Sequence, residues 1–430
     1  MESQVNSYKQ AVARFGVLAL LCLGLAGCQA GDAPEPTPEP EPEPELPVPT
    51  KERVDIPLTK AEESIVSGNN AFSFQLLKAV AAEEEKENIF LSPLSATLAL
   101  GMLNNGAAGT TAEEIRTALG YAGIPDEDLN DFFQKLIEAL REIDPQVTLE
   151  SANSIWIRND FPTLAPFRET NQTYYDAQVR NADFSDPATL AAINSWCADH
   201  TNGMIDRILN GISESSVMYL LNALYFKGAW TEPFEKEQTQ QKVFYNEDGT
   251  LALNIPLMSG GGRLNYAQGD HFEIVELPYG NEAFSMVFLL PEEGLSLSSV
   301  IENLDAAAWS ESLAKLSPSS VLLSLPRLKL AYEIQLKETL RSLGMQAMFD
   351  DQEANFTRLS SIPTYVSFVK QKTALALDEE GAEAAAVTII GIEVASGHDI
   401  SMVLNRPFLL FIKEKSTGAI LFEGAVRKLE

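Results

Sequence analysis

Leu129, Phe132, Phe133, Leu136, Ile137 and Leu140 recur at steps of three and four, so they share one face of an amphipathic helix. Further helices are predicted at 62–80, 93–104, 188–201 and 333–343. The run Thr111-Ala112-Glu113-Glu114 reads as a capping box opening another helix, with Gly120 as its stop. Apolar runs take over later and predict strands at 217–226, 284–290, 321–330, 365–377, 408–412 and 419–426. Several carry no polar alternation, which suits strands covered on both faces. Helices come first and strands mostly follow, so the expected class is α+β. No linker, repeat or low-complexity break interrupts 58–430, and a unit of that size buries roughly three quarters of its surface.

The connection between the strand ending near 377 and the one starting near 408 breaks the pattern. A link of about 30 residues inside a compact domain is normally functional or disordered. This one lacks a disordered composition, being small from Ala382 to Ala386 and then strongly β-prone. The even positions Ala382, Ala384, Ala386, Thr388, Ile390 and Ile392 are apolar or neutral, whereas the charges Glu383 and Glu393 are both odd. Side chains alternate faces along a strand, so the segment can bury one complete face and enter a sheet. A helix over 379–387 is the rival local reading.

Charge then narrows the function. The 430 residues hold 31 basic and 61 acidic side chains, a net charge of −30, which repels phosphate backbones and excludes nucleic acid as a partner. With 45% hydrophobic and 8% aromatic residues the chain is globular, not disordered. It has no Gly-x-Ser-x-Gly elbow and no His-Glu-x-x-His pair. Gly101 and Gly106 have P-loop spacing, but Ala107 stands where the lysine is needed. Gly260-Gly261-Gly262 is expected to be a flexible turn. His200, His271 and His398 are read as surface or structural, and Cys197 as a core thiol on the helix predicted at 188–201. No enzyme, cofactor or metal is expected.

The start of the chain reads as an address. Lys9 and Arg14 precede a short apolar run that ends in small residues, as in an export signal. Leu25-Ala26-Gly27-Cys28 resembles the lipobox of bacterial lipoproteins, which implies removal of 1–27 and acylation of Cys28. An ordinary secretory signal with an incidental cysteine is the plainer alternative. The run Pro34-Glu35-Pro36-Thr37-Pro38, followed by strict Pro/Glu alternation to Glu45, forbids helix and sheet and favours an extended spacer; about twenty residues at ~3.1 Å each reach roughly 60–70 Å. The expected organisation is a signal at 1–27, an anchor and spacer at 28–57 and one domain at 58–430. The expected location is outside the cytoplasm, lipid-anchored to a bacterial membrane.

Glu379-Glu380-Gly381-Ala382-Glu383-Ala384-Ala385-Ala386 resembles the loop hinge of inhibitory serpins. Asn88-Ile89-Phe90-Leu91-Ser92-Pro93-Leu94-Ser95, Thr201-Asn202-Gly203-Met204-Ile205 and Asn222-Ala223-Leu224-Tyr225-Phe226 resemble further serpin segments, in family order. Leu325-Pro326-Arg327 and Arg406-Pro407-Phe408 extend the resemblance over 58–430. It implies a fold of three sheets and eight or nine helices with an exposed reactive loop. It also implies a monomeric serine protease inhibitor that is cleaved, traps the protease covalently and inserts its loop as a strand. Ser92, Ser95 and Asn222 match the polar shutter beneath the large sheet, where Gln371 replaces the usual histidine. Trp230 matches the breach, and Arg327 matches a partner of Glu379. Counting from the hinge places the reactive bond between Ala395 and Ser396, while counting back from Phe408 places it after Ser396. A small residue before the bond suits an elastase-like protease. The alternative function is a non-inhibitory serpin acting as a surface binding module.

Overall fold

The computed structural model describes residues 52–84, 87–213, 215–382 and 400–430. Among them are nine helices: α1 (Lys60–Glu83), α2 (Pro93–Asn104), α3 (Gly109–Ala118), α4 (Asp126–Glu142), α5 (Ala165–Tyr175), α6 (Pro187–Asp199), α7 (Leu297–Asn303), α8 (Ala306–Ala314) and α9 (Lys337–Ser342). The first eight strands are β1 (Ile89–Leu91), β2 (Val147–Arg158), β3 (Ala177–Ala182), β4 (Met218–Ala229), β5 (Gln240–Tyr245), β6 (Leu251–Gln268), β7 (Phe272–Tyr279) and β8 (Phe284–Pro291). The remaining seven are β9 (Ser317–Pro326), β10 (Leu328–Gln335), β11 (Lys370–Leu377), β12 (Gly381–Ala382), β13 (Ile400–Val403), β14 (Phe408–Glu414) and β15 (Ile420–Val426).

Two hydrogen-bonded sheets hold these strands, where three were expected. The larger runs β1-β15-β14-β8-β7-β6-β9-β13, with β5 also on β6. The 18 residues of β6 pair with β5, β9 and β7 in turn, which fuses two groups of strands into one sheet. The smaller sheet runs β10-β11-β12-β4-β2-β3. Its strand β4 divides the core: Leu224 and Phe226 join the main apolar cluster, while Tyr219 and Ala223 face a second cluster with Trp196 and Cys197 of α6. Cys197 is buried there, and burial pushes its thiol up to about 11.

Several expected elements are displaced. Residues 333–335 finish strand β10, and only Lys337–Ser342 of the region predicted as helix is helical. The run predicted as one strand at 321–330 is two strands, β9 and β10, which belong to different sheets. The helix expected to begin at Thr111 begins at Gly109, and the Thr111 hydroxyl instead accepts from Asn355 N at 2.9 Å. Gly120 does end it, at φ +75°. The triple glycine is no turn. It lies inside β6 opposite Val321–Leu323, and a Cβ on Gly260 would come 2.9 Å from the Phe234 ring.

Candidate functional site

Strand β11 ends at Leu377 and the chain reverses within four residues. Asp378 N donates to Gly381 O at 3.0 Å, and Asp378 Oδ1 accepts from Glu380 N at 2.9 Å. Gly381 has φ +145°, and a Cβ there would overlap Gly228 O, so only glycine fits. Gly381 and Ala382 then pair with Ala229 and Gly228 of β4, while Ala382 also pairs with Leu377 of β11. Ala382 is 1% exposed and belongs to the main core. The two-residue strand is thus wedged between two longer ones.

Side chains around the turn hold it in place. Trp230 N donates to Glu380 O at 2.9 Å, and its indole Nε1 donates to Asp378 O at 3.1 Å. The indole is stacked on Tyr279 with centroids 4.4 Å apart. Glu379 is 2% exposed; its carboxylate accepts from Arg327 Nε at 2.9 and 3.0 Å, from Arg327 Nη2 at 2.6 Å, and from the Thr239 hydroxyl. Burial raises the Glu379 pKa, but these hydrogen bonds outweigh it and hold the carboxyl below its usual range. Lys236 pairs with Glu380 at the surface, where an ion pair contributes little.

Below this wedge β4 and β11 part. β4 is paired with β2 on its outer side, and β11 with β10 along its whole length. On the sides that face each other, the ladders among the described residues stop at Gly228 and Leu377. A cavity of about 210 Å³ lies between them, lined by residues including Leu100, Leu103, Leu221, Asn222, Val369 and Gln371. Because β12 is antiparallel to both neighbours, a strand continuing from it would complete a ladder on each side.

The floor of this gap is polar at one point. Ser92 caps α2 by accepting from Ser95 N at 3.2 Å, and donates its hydroxyl to Leu421 O at 2.8 Å. Gln371 binds the Ser92 backbone twice: Nε2 donates to Ser92 O at 2.8 Å and Oε1 accepts from Ser92 N at 3.0 Å. An amide therefore supplies a complete link between β11 and α2 at the place of the expected histidine. Asn222 faces the same gap from β4.

Trp230, Arg327, Glu379, Glu380, Gly381 and Ala382 therefore form one cluster at the hinge, with Ser92, Ser95, Asn222 and Gln371 forming another beneath the gap. Glu383, Ala384, Ala385, Ala386, Ala395, Ser396 and Cys28 lie outside the described residues. Thr239, Lys236, Tyr279 and Asn153, whose Oδ1 accepts from Asn222 Nδ2 at 2.7 Å, belong to the site without having been legible in the sequence. Thr239 lies 140 positions from Glu379 and carries no local motif. No described group of three His, Cys, Asp or Glu can hold a metal. His200 contacts Trp196 O at 2.7 Å and packs against that indole with the rings tilted by 33°, a structural role.

Comparison with known proteins agrees with this geometry. The model of the family described as Serpin (serine protease inhibitor) matches residues 67–429. Human Serpin B8 is 32% identical over 373 residues, covering 84% of this chain and 98% of that protein. Chicken neuroserpin is 31% identical, over 82% of this chain and 89% of its own. The native structure of the thermophilic serpin tengpin superposes with a TM-score of 0.79 at 33% identity, covering 89% and 98% of the two chains. Native protease nexin-1 with heparin superposes at 0.77 and 27% identity, covering 86% and 100%. The hinge wedged at the head of an open sheet and the match over nearly the whole folded region lead to one conclusion: the chain belongs to the serpin family, homologous to inhibitory members, and is not an enzyme.

Proposed function

We propose that this serpin is a suicide inhibitor of elastase-like serine proteases, held outside the bacterial cytoplasm by a lipid on Cys28 and the Pro/Glu spacer at 28–57. The observation that carries the reading is the placement of Gly381 and Ala382 between β4 and β11, whose facing edges below them have no strand partner among the described residues. The protease serine attacks the carbonyl of Ala395. An ester forms, the peptide bond to Ser396 breaks, and the protease delivers the proton to the departing amine. Release of that end frees the segment from Glu383 onward to extend β12 down the gap, carrying the esterified protease with it. Trapping requires insertion to outrun hydrolysis of the ester. Small residues at Ala384 and Ala386 favour fast entry on the buried face. Purified domain mixed with a panel of serine proteases should yield adducts that survive denaturant, with an elastase-type enzyme and not with one requiring arginine or lysine. Cleavage without any adduct would overturn the inhibitory reading in favour of a binding module.

A further inference from the structure

At the other end of α2 from Ser92, a concavity of about 320 Å³ opens where Asn105, the helices α4 and α5 and the loop after Asn355 meet. It shares no lining residue with the cavity between β4 and β11. Backbone hydrogen bonds hold its frame. Asn355 O accepts from Ala108 N at 2.9 Å, Asn355 N donates to the Thr111 hydroxyl at 2.9 Å, and Leu359 O accepts from Leu164 N at 2.9 Å. The loop is thereby stitched both to the junction of α2 with α3 and to the start of α5.

The lining combines apolar, amide and cationic groups. Phe167 is buried, whereas Leu164 beside it is 40% exposed, unusual for a large apolar side chain in this protein. Asn105 and Asn130, both more than nine-tenths buried, bond each other reciprocally at 3.1 and 3.2 Å, and Asn130 keeps a second amide N–H without a partner among the described residues. Arg358 supplies the charge. Its Nη1 donates to Asp126 Oδ2 at 2.9 Å and to Ala107 O at 3.3 Å, while Nε and Nη2 bond no described residue. Asp126 is shared, because its Oδ1 accepts from Arg116 Nη1 at 3.0 Å and from Asn104 Nδ2 at 3.2 Å. Two guanidiniums on one carboxylate leave a local positive charge in a protein of net charge −30, and none of the residues lining the concavity is acidic.

We infer that this concavity binds a small organic carboxylate with a compact apolar body. The Nε–Nη2 edge of a guanidinium offers two parallel N–H donors at the spacing of a carboxylate's oxygens, and on Arg358 that edge is unused. The carboxylate takes this edge and the spare N–H of Asn130, while the body packs on Leu164 and Phe167. The volume lies at the lower end of small-molecule sites, too small for a peptide or polysaccharide chain. An inorganic anion would leave the apolar side unused. The site stands apart from the hinge and does not depend on the inhibitory reading.

The test titrates the protein with phenylacetate by calorimetry. Phenylacetamide keeps the ring without the charge, and acetate keeps the charge without the ring; each should bind at least about tenfold more weakly. Arg358→Gln should weaken phenylacetate about tenfold, the loss of one charge-assisted contact. That change also breaks the pair with Asp126, so Leu164→Glu serves as a second variant. It sets a carboxylate on the exposed wall, breaks no side-chain hydrogen bond, and should weaken binding as much. Saturating phenylacetate should raise the melting temperature of the wild type and of neither variant. Protease adduct yields should be the same for all three proteins. Absence of binding by the wild type at millimolar phenylacetate, equal binding of phenylacetamide, or full affinity in both variants would overturn the site. Phenylacetate binding by a protein that traps no protease would sink the inhibitory reading and leave this site standing.

Discussion

Arg327 Nη2 lies 2.6 Å from Glu379 Oε1, and the guanidinium grips the buried carboxylate through three contacts although the arginine side chain is itself 44% exposed. This pair ties the first hinge residue to the turn between β9 and β10, directly above the gap.

The clamp predicts an acid-dependent loss of stability. The Glu379 pKa is lowered in the folded state, so its contribution is fully present above 4.5 and falls away as pH drops through the folded value. Glu379→Gln should flatten that part of the stability curve. Arg327→Ala should destabilise the intact protein by about 1–3 kcal/mol, a charge-assisted hydrogen bond discounted for solvent screening. Thermal melts at pH 7 and pH 4 check both; equal pH slopes for wild type and Glu379→Gln would remove the clamp from the account.

A comparison of Ala382→Arg with Glu383→Arg tests strand parity. Ala382 is buried against the core, so arginine there brings a charge into the sheet at a cost of several kcal/mol. Insertion slows tenfold for each 1.4 kcal/mol of barrier, so the protein should be cleaved without trapping. Glu383 falls on the other parity, and its arginine variant should still form an adduct. Gel assays of adduct yield decide; equal trapping by both variants contradicts the buried-face argument.

The larger sheet contains a second acid-sensitive pair. Glu276 and Lys413 are both buried and 2.9 Å apart. Burial raises the Glu276 pKa, but the Lys413 and Lys415 charges outweigh it and bring the carboxyl down to about 2. Its stabilisation is therefore complete above 4.5 and lost as pH falls toward about 2. Lys413→Met leaves the carboxylate buried without its nearest cation and should cost about 3–5 kcal/mol at neutral pH. Denaturant titrations at pH 7 and pH 3 measure it, and the deficit should shrink at the lower pH.

The proposed lipid anchor should be separable from the proposed inhibition. Cys28→Ser should release the protein from the membrane fraction and leave adduct formation unchanged. Retention of the variant in membranes, on fractionation blots, would remove Cys28 as the anchor point.

Sequence alone determined the parts that depend on local patterning. The period of Leu129 to Leu140 specified α4, the apolar runs at 284–290 and 408–412 specified β8 and β14, and residues 379–382 resembled a hinge before any sheet was visible. These signals survive without tertiary context because one helix face or one strand run carries them whole. Tertiary structure decided what depends on partners far along the chain. Gly260 to Gly262 read as a turn because glycine is locally permissive, yet Phe234 and the neighbouring strand β9 hold them extended. Residues 333–335 had no strand period of their own and became one by pairing with Lys370–Lys372. Asn153, Thr239 and Tyr279 carried no motif, and only the closing of the sheet brought them to the gap and the hinge. The gap itself is a relation between two ladders, β2–β4 and β10–β11, that end facing each other. No single segment encodes such a relation, because it exists only once both ladders have formed.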